Sequence, residues 1–166
     1  MKIIYSLAIL ILITLMVACA RNSNSIDSSD LDGASELTLE RSYCFGSCPV
    51  YRLTVWGDGK LAYFGKDHVK TKGRVLSHVS PEQLRSLIEA FNRASFFELQ
   101  DSYSNHQVCD LPSASVSLKT ILKEKKVYHY LGDAAAPSRL TRLEEEIDEI
   151  VGTSQWVKIA PDPEGG

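Results

Sequence analysis

Two β-rich runs, Val50 to Trp56 and Leu61 to Phe64, flank Gly57-Asp58-Gly59. Glycine and aspartate tolerate the positive φ that a tight connection between antiparallel strands demands, so this stretch is restricted to a hairpin around Asp58. Within the first run Tyr51, Leu53 and Val55 alternate with polar or smaller residues, which puts them on one face of a sheet.

The surrounding sequence supplies partners for that hairpin. Leu37 and Leu39 alternate upstream, and Pro49 suits the first residue of a strand. Val69 to Val79 reads as another strand, broken near Gly73. A helix then opens with Ser80 as cap, Pro81 in the first turn and Gln83 completing a capping box, while Val79 is placed to staple against Leu84. Leu84, Leu87, Ile88 and Phe91 form its apolar stripe, and Phe96, Phe97 and Leu99 are core anchors at its exit. Asp101 to Pro112 reads as a polar loop. Val116 and Leu118 begin a second hairpin, with a charged turn at Lys123 to Lys126 and a return strand from Val127 to Leu131. Pro137 opens a last helix striped by Leu140, Leu143, Ile147, Ile150 and Val151, with Gly152 as C-cap. The expected fold is α+β: an antiparallel sheet of about five to six strands with two helices packed on one face.

The N-terminus sets location. After Lys2, the run Ile3 to Val17 is apolar except for Ser6 and Thr14, and it ends in Ala18 and Cys19. Met16-Val17-Ala18-Cys19 resembles the lipobox of bacterial lipoproteins, with Met where Leu is usual. That resemblance implies a signal peptide over 1–18, cleavage ahead of Cys19 and acylation of its thiol. Two or more acyl chains make a stable membrane tether. Ala20, where Asp would retain a lipoprotein at the inner membrane, implies onward sorting to the outer membrane of a Gram-negative cell. The rival reading is an uncleaved anchor, since about 18 apolar residues approach the minimum for a span. Residues 19–35, rich in Ser, Asn, Asp and Gly, read as the lipidated cysteine and a flexible linker, 36–158 as one domain, and 159–166 as a disordered tail.

Composition narrows the function classes. The formal charge is −3, and loss of Lys2 with the leader makes it −4. No positive field exists to gather nucleic acid. About 150 mature residues support a single core.

The string LERSYCFGSCPVYRLTVWGDGKLAYFG, the SPEQL helix start, FFELQDSY and a later DLP occur in that order. Together they resemble the bacterial family called domain of unknown function 6438, over about Leu37 to Val157. The resemblance implies a shared fold and a secreted or lipid-anchored setting, and it carries no activity. Cys109 stands before the Asp of DLP, where the pattern would have a hydroxyl residue.

With Cys19 lipidated, Cys44, Cys48 and Cys109 remain, and an oxidising compartment favours one disulfide among them. Pairing Cys44 with Cys48, which Gly46 permits by letting the chain fold back, gains only about 2 kcal/mol in loop entropy. Pairing Cys109 with either would gain roughly 4 kcal/mol, so the connectivity stays open. A sharper alternative makes C-x-x-x-C functional, in extracytoplasmic thiol-redox work or Cu(I) binding. Cys44 and Cys48 would then supply soft thiolates, completed by His68, His78, His106 or His129. Against it, such motifs in thioredoxin-like proteins precede a helix, whereas Pro49 here leads into a strand.

No G-x-S-x-G, H-E-x-x-H or phosphate-cradling glycine loop occurs. Glu98, Asp101 and Asp110 would be the carboxylates of a hydrolase, but a solvated loop explains them as well, with Asp110 a turn-maker. Glu144 to Glu146, Asp148 and Glu149 read as the solvated face of the last helix. Tyr43, Tyr51, Trp56, Tyr63 and Phe64 are either an aromatic ligand patch or core. The expectation is a non-catalytic binding or structural module without a cofactor. It is tethered to the extracytoplasmic side of the bacterial envelope, its protein or small-molecule partner unspecified.

Overall fold

A computed structural model describes residues 24–105 and 109–158. The expected leader, Cys19 and the tail over 159–166 lie outside the described residues. Among those described, no helix is long and apolar enough to cross a membrane.

Seven strands form one sheet: β1 Glu36–Arg41, β2 Val50–Trp56, β3 Lys60–Asp67, β4 Gly73–His78, β5 Ser102–Tyr103, β6 Ser113–Lys119 and β7 Glu124–Tyr130. Their spatial order is β4-β3-β2-β1-β6-β7-β5, and every pairing is antiparallel except β5 with β7. Two main helices, α1 Pro81–Arg93 and α2 Ser138–Val151, pack on one face, followed by the short α3 Ser154–Val157. The expected α+β class holds.

Pairing aligns Leu37, Leu39, Tyr51, Leu53, Val55, Leu61, Tyr63, Val116 and Leu118 on the helix side, where the core forms. The capping box is formed as expected: Ser80 Oγ accepts from Gln83 N (3.2 Å), and Gln83 Oε1 accepts from Ser80 N (2.8 Å). At the first hairpin Gly59 takes φ 84°, while a Cβ on Gly57 would collide with the Asp32 carbonyl oxygen.

Four boundaries differ from expectation. The sheet has seven strands rather than five to six, because the loop from Asp101 contains β5, whose two residues are too few for an alternation signal. β4 begins only at Gly73, with Val69 buried in the preceding loop. The second turn spans Thr120 to Lys123 rather than Lys123 to Lys126, because the Thr120 hydroxyl accepts from both Leu122 N and Lys123 N (each 3.2 Å). The linker expected over 19–35 is docked from Ile26 onward. That side chain is buried, and Asn92 bonds both its backbone groups, at 2.7 and 2.8 Å.

Candidate functional site

Between β1 and β2 the chain forms a short loop closed by the Cys44–Cys48 disulfide, with Cα atoms 5.7 Å apart. Cys109 is free and exposed. Gly46, at φ 143°, turns the loop, and Phe45 stands at its tip 88% exposed. Two contacts seat the loop on the start of β6. Ser42 and Ser113 pair through their hydroxyls (2.8 Å) and through Ser42 N to Ser113 O (2.9 Å), and Phe45 N donates to Asp110 O (3.0 Å). Asp110 takes the left-handed conformation, φ 72°. Its backbone carbonyl thus makes the contact to Phe45.

Beside this loop, on the face opposite the helices, lies a cavity of about 660 Å³. Strand pairing explains its lining. Phe64, Arg52, Glu40, Ser115 and Tyr128 stand in one cross-strand row running from β3 to β7. Side chains directly opposite in a sheet are neighbours, so the row presents alternating aromatic, charged and hydroxyl groups. Tyr43 walls the loop side, with the Lys66 ammonium 5.1 Å from its ring centroid, a cation–π contact. Arg52 pairs with Glu40, which also lies 3.9 Å from Lys126 Nζ. Tyr43 and Phe64 are each about half exposed.

Beneath the same sheet end runs a polar network. Asp148 on α2 accepts from Arg41 (2.8 and 3.0 Å), Tyr51 (2.7 Å) and Thr153 (2.8 Å). Burial, then the Asp148 carboxylate, pushes the Tyr51 phenol well above the usual tyrosine range. Burial opposes the Arg41 charge, but Tyr51 and Asp148 outweigh it and raise the guanidinium above its ordinary value. The network fixes Arg41 and Tyr51, which border the cavity floor.

The family model described as Domain of unknown function (DUF6438) matches residues 35–151. The chain belongs to this family. The DUF6438 match thus takes in the disulfide loop, the cavity and Asp148. No curated protein matches the chain.

The sequence-derived candidates divide in this DUF6438 domain. Cys44 and Cys48 meet in the disulfide, and Cys109 takes no part. Of the four histidines weighed for a copper site, His68 follows Asp67, which the register sets opposite Val50, two residues after Cys48, whereas His78 and His129 stand elsewhere. His68 lies 3.7 Å from Asp67, His78 is exposed on the edge strand β4, and His129 is buried against Glu144 at 2.8 Å. His106 is outside the described residues. Among the described residues no group of three or more His, Cys, Asp or Glu is arranged to hold a metal ion. The three candidate carboxylates serve different partners: Glu98 takes Asn24, Asp101 takes Lys125, and Asp110 offers its carbonyl to Phe45. Of the aromatics, Tyr51 and Tyr63 are core, Tyr43 and Phe64 line the cavity, and Trp56 lies at the other end of β2.

Three positions escaped the sequence reading. Tyr128 alternates with the buried Val127 and His129, a period that places it on the open face. Glu144 and Asp148, read as solvated, are not: Glu144 is fully buried and Asp148 is bonded at the sheet end. Glu144 lies four residues after Leu140 and three before Ile147, inside the apolar stripe. That spacing was the available signal.

Proposed function

We propose that the chain is a lipoprotein of the bacterial envelope, cut ahead of Cys19, held by acyl chains and facing the extracytoplasmic side. Its domain serves there as a non-catalytic binding module, and the open-face cavity is its ligand site. The apolar leader with Ala18-Cys19 supports the anchor, and a disulfide accords with an oxidising compartment. The observation that carries the binding reading is the cavity lining. Tyr43, Phe64 and Tyr128 offer stacking faces, Lys66 offers a cation beside an Arg52 already paired with Glu40, and Ser42 and Ser115 offer hydroxyls. Convergent polar groups among aromatic walls are the make-up of a ligand site. The ligand class that fits is an anionic, hydroxyl-rich chain such as an acidic glycan, with rings to stack and carboxylates for Lys66.

The test is an NMR titration of the full chain in detergent with a uronic-acid oligosaccharide, set beside a neutral one of equal length. Shifts centred on Tyr43, Phe64 and Tyr128 with the acidic chain alone, lost in Lys66→Glu, support the reading. Shifts scattered over the domain, or none, overturn it. The anchor is tested separately by metabolic labelling with palmitate, which Cys19→Ser abolishes.

A further inference from the structure

We infer that the β6–β7 turn is a membrane-contact element, with Ile121 and Leu122 seated in the apolar edge of the bilayer that holds the N-terminus. The inference rests on the anchor proposed above and is independent of the ligand. Ile121 and Leu122 are adjacent, large and apolar, yet 56% and 70% exposed. The turn does not need them. Its geometry is set by Thr120, whose backbone N–H donates to Lys123 O (2.8 Å) and whose hydroxyl accepts from Leu122 N and Lys123 N. Polar residues would close the same turn without exposing apolar surface to water.

Their place in the fold identifies what covers them. Ile121 N donates to Asp30 O (3.2 Å), tying the turn to the docked N-terminal strap. Asn24 bonds Glu98 (3.2 Å), and the neighbouring Phe97 ring receives the Lys123 ammonium 4.1 Å from its centroid. The strap therefore begins beside the turn. Only four residues separate Cys19 from Asn24, and five residue steps reach at most about 18 Å, whatever their conformation. A bilayer anchored at Cys19 consequently lies within reach of this end of the sheet. The disulfide loop follows the opposite end of β1, about 20 Å along the strand.

Apolar burial rather than charge carries the contact. Lys119 flanks the tip and can extend its ammonium group toward water, while Lys123 is held over Phe97, and Asp30 and Glu124 stand nearby and offset the two cations. The tether makes the encounter intramolecular, with an effective concentration on the order of millimolar, so a two-residue apolar contact suffices. Docked in this way, the domain turns its cavity and Phe45 away from the membrane.

The test uses the full processed chain, reconstituted in phosphatidylcholine vesicles, with a single environment-sensitive fluorophore at Leu122→Cys in a Cys109→Ser background. A Phe45→Cys probe in the same background reports the distal end. The expected result is a blue-shifted Leu122 probe quenched by acyl-chain nitroxides and shielded from aqueous iodide, with the Phe45 probe behaving oppositely. Adding phosphatidylglycerol leaves the result unchanged. A chain that floats with the vesicles while its Leu122 probe stays open to iodide overturns the docking and leaves the anchor standing. A Leu122 probe shielded from both quenchers also overturns it, since protein and not lipid then covers the turn. A chain that does not float removes anchor and docking together.

Discussion

His129 Nδ1 and Glu144 Oε1 lie 2.8 Å apart beneath the sheet, at 4% and 1% side-chain exposure. Removing one partner of a buried hydrogen-bonded pair leaves the other unsatisfied, a loss of about 1–3 kcal/mol and more for a charged group. Glu144→Ala is therefore expected to lower unfolding free energy by about that amount in urea denaturation. The double variant Glu144→Leu with His129→Leu, which removes both polar groups and keeps volume, recovers most of the loss. A Glu144→Ala variant within about 0.5 kcal/mol of the parent would show the pair to be structurally idle.

The same pair marks where the sequence was legible and where it was not. Elements whose signal is local were readable. The Gly57-Asp58-Gly59 turn, the Ser80–Gln83 capping box and the stripes of α1 and α2 depend on neighbours a few residues away. Legibility failed where pairing is distant. His129 and Glu144 acquire their meaning only when β7 is laid against α2, and β5 exists only through its parallel partner. The cavity stands between these cases. Tyr43 and Phe64 were visible as aromatics, but only the cross-strand register sets Phe64 beside Arg52 and Ser115 beside Tyr128.

Tyr51 makes the domain sensitive to alkali. Its pKa is raised in the folded state, so the fold holds the phenolic proton more tightly than the unfolded chain does. That stabilisation is complete below the unfolded pKa of about 10 and is lost as pH rises toward the folded value. Stability is expected to fall steadily with pH above about 10, and the fall to be shallower in Tyr51→Phe. Denaturation midpoints measured across that range, with phenolate absorbance as the companion readout, decide it. Parallel slopes for parent and variant would assign the alkaline loss to other groups.

Tyr63 offers a substitution that should stabilise. Its ring is fully buried between Tyr51 and Trp156, at centroid distances of 5.7 and 5.0 Å, and its hydroxyl has no hydrogen-bond partner among the described residues. An unpaired buried hydroxyl costs about 1–3 kcal/mol, so Tyr63→Phe is expected to raise thermal stability. Gly65→Ala is expected to do the reverse. Its Cβ would lie 2.7 Å from that hydroxyl and would collide with the Thr71 carbonyl oxygen. Scanning calorimetry on the two variants reads both signs, and a destabilised Tyr63→Phe would mean that the hydroxyl is solvated or bonded.

Asn92 holds the N-terminal strap by accepting from Ile26 N and donating to Ile26 O. Asn92→Ala deletes both bonds and exposes Ile26 to release from its pocket beside Leu84 and Phe91. Hydrogen exchange over residues 26–35 is expected to accelerate by roughly ten- to hundredfold, as the loss of about 1–3 kcal/mol implies. Exchange in β1 to β3 stays unchanged, because those ladders do not depend on the strap.

The cysteines separate a structural bridge from a working one. Alkylation of the native chain is expected to modify Cys109, which is free and exposed, and to leave Cys44 and Cys48 blocked until the bridge is reduced. Closing so short a loop contributes about 2 kcal/mol, so Cys44→Ser with Cys48→Ser folds with a modest loss of stability. Its larger effect falls on the cavity, because Tyr43 precedes Cys44 and loses the constraint that keeps it facing Lys66. Binding of the acidic oligosaccharide should therefore weaken more than stability does. A bridge that exchanges rapidly with glutathione and takes up Cu(I) when reduced would instead make the thiols the functional groups and the cavity their surroundings.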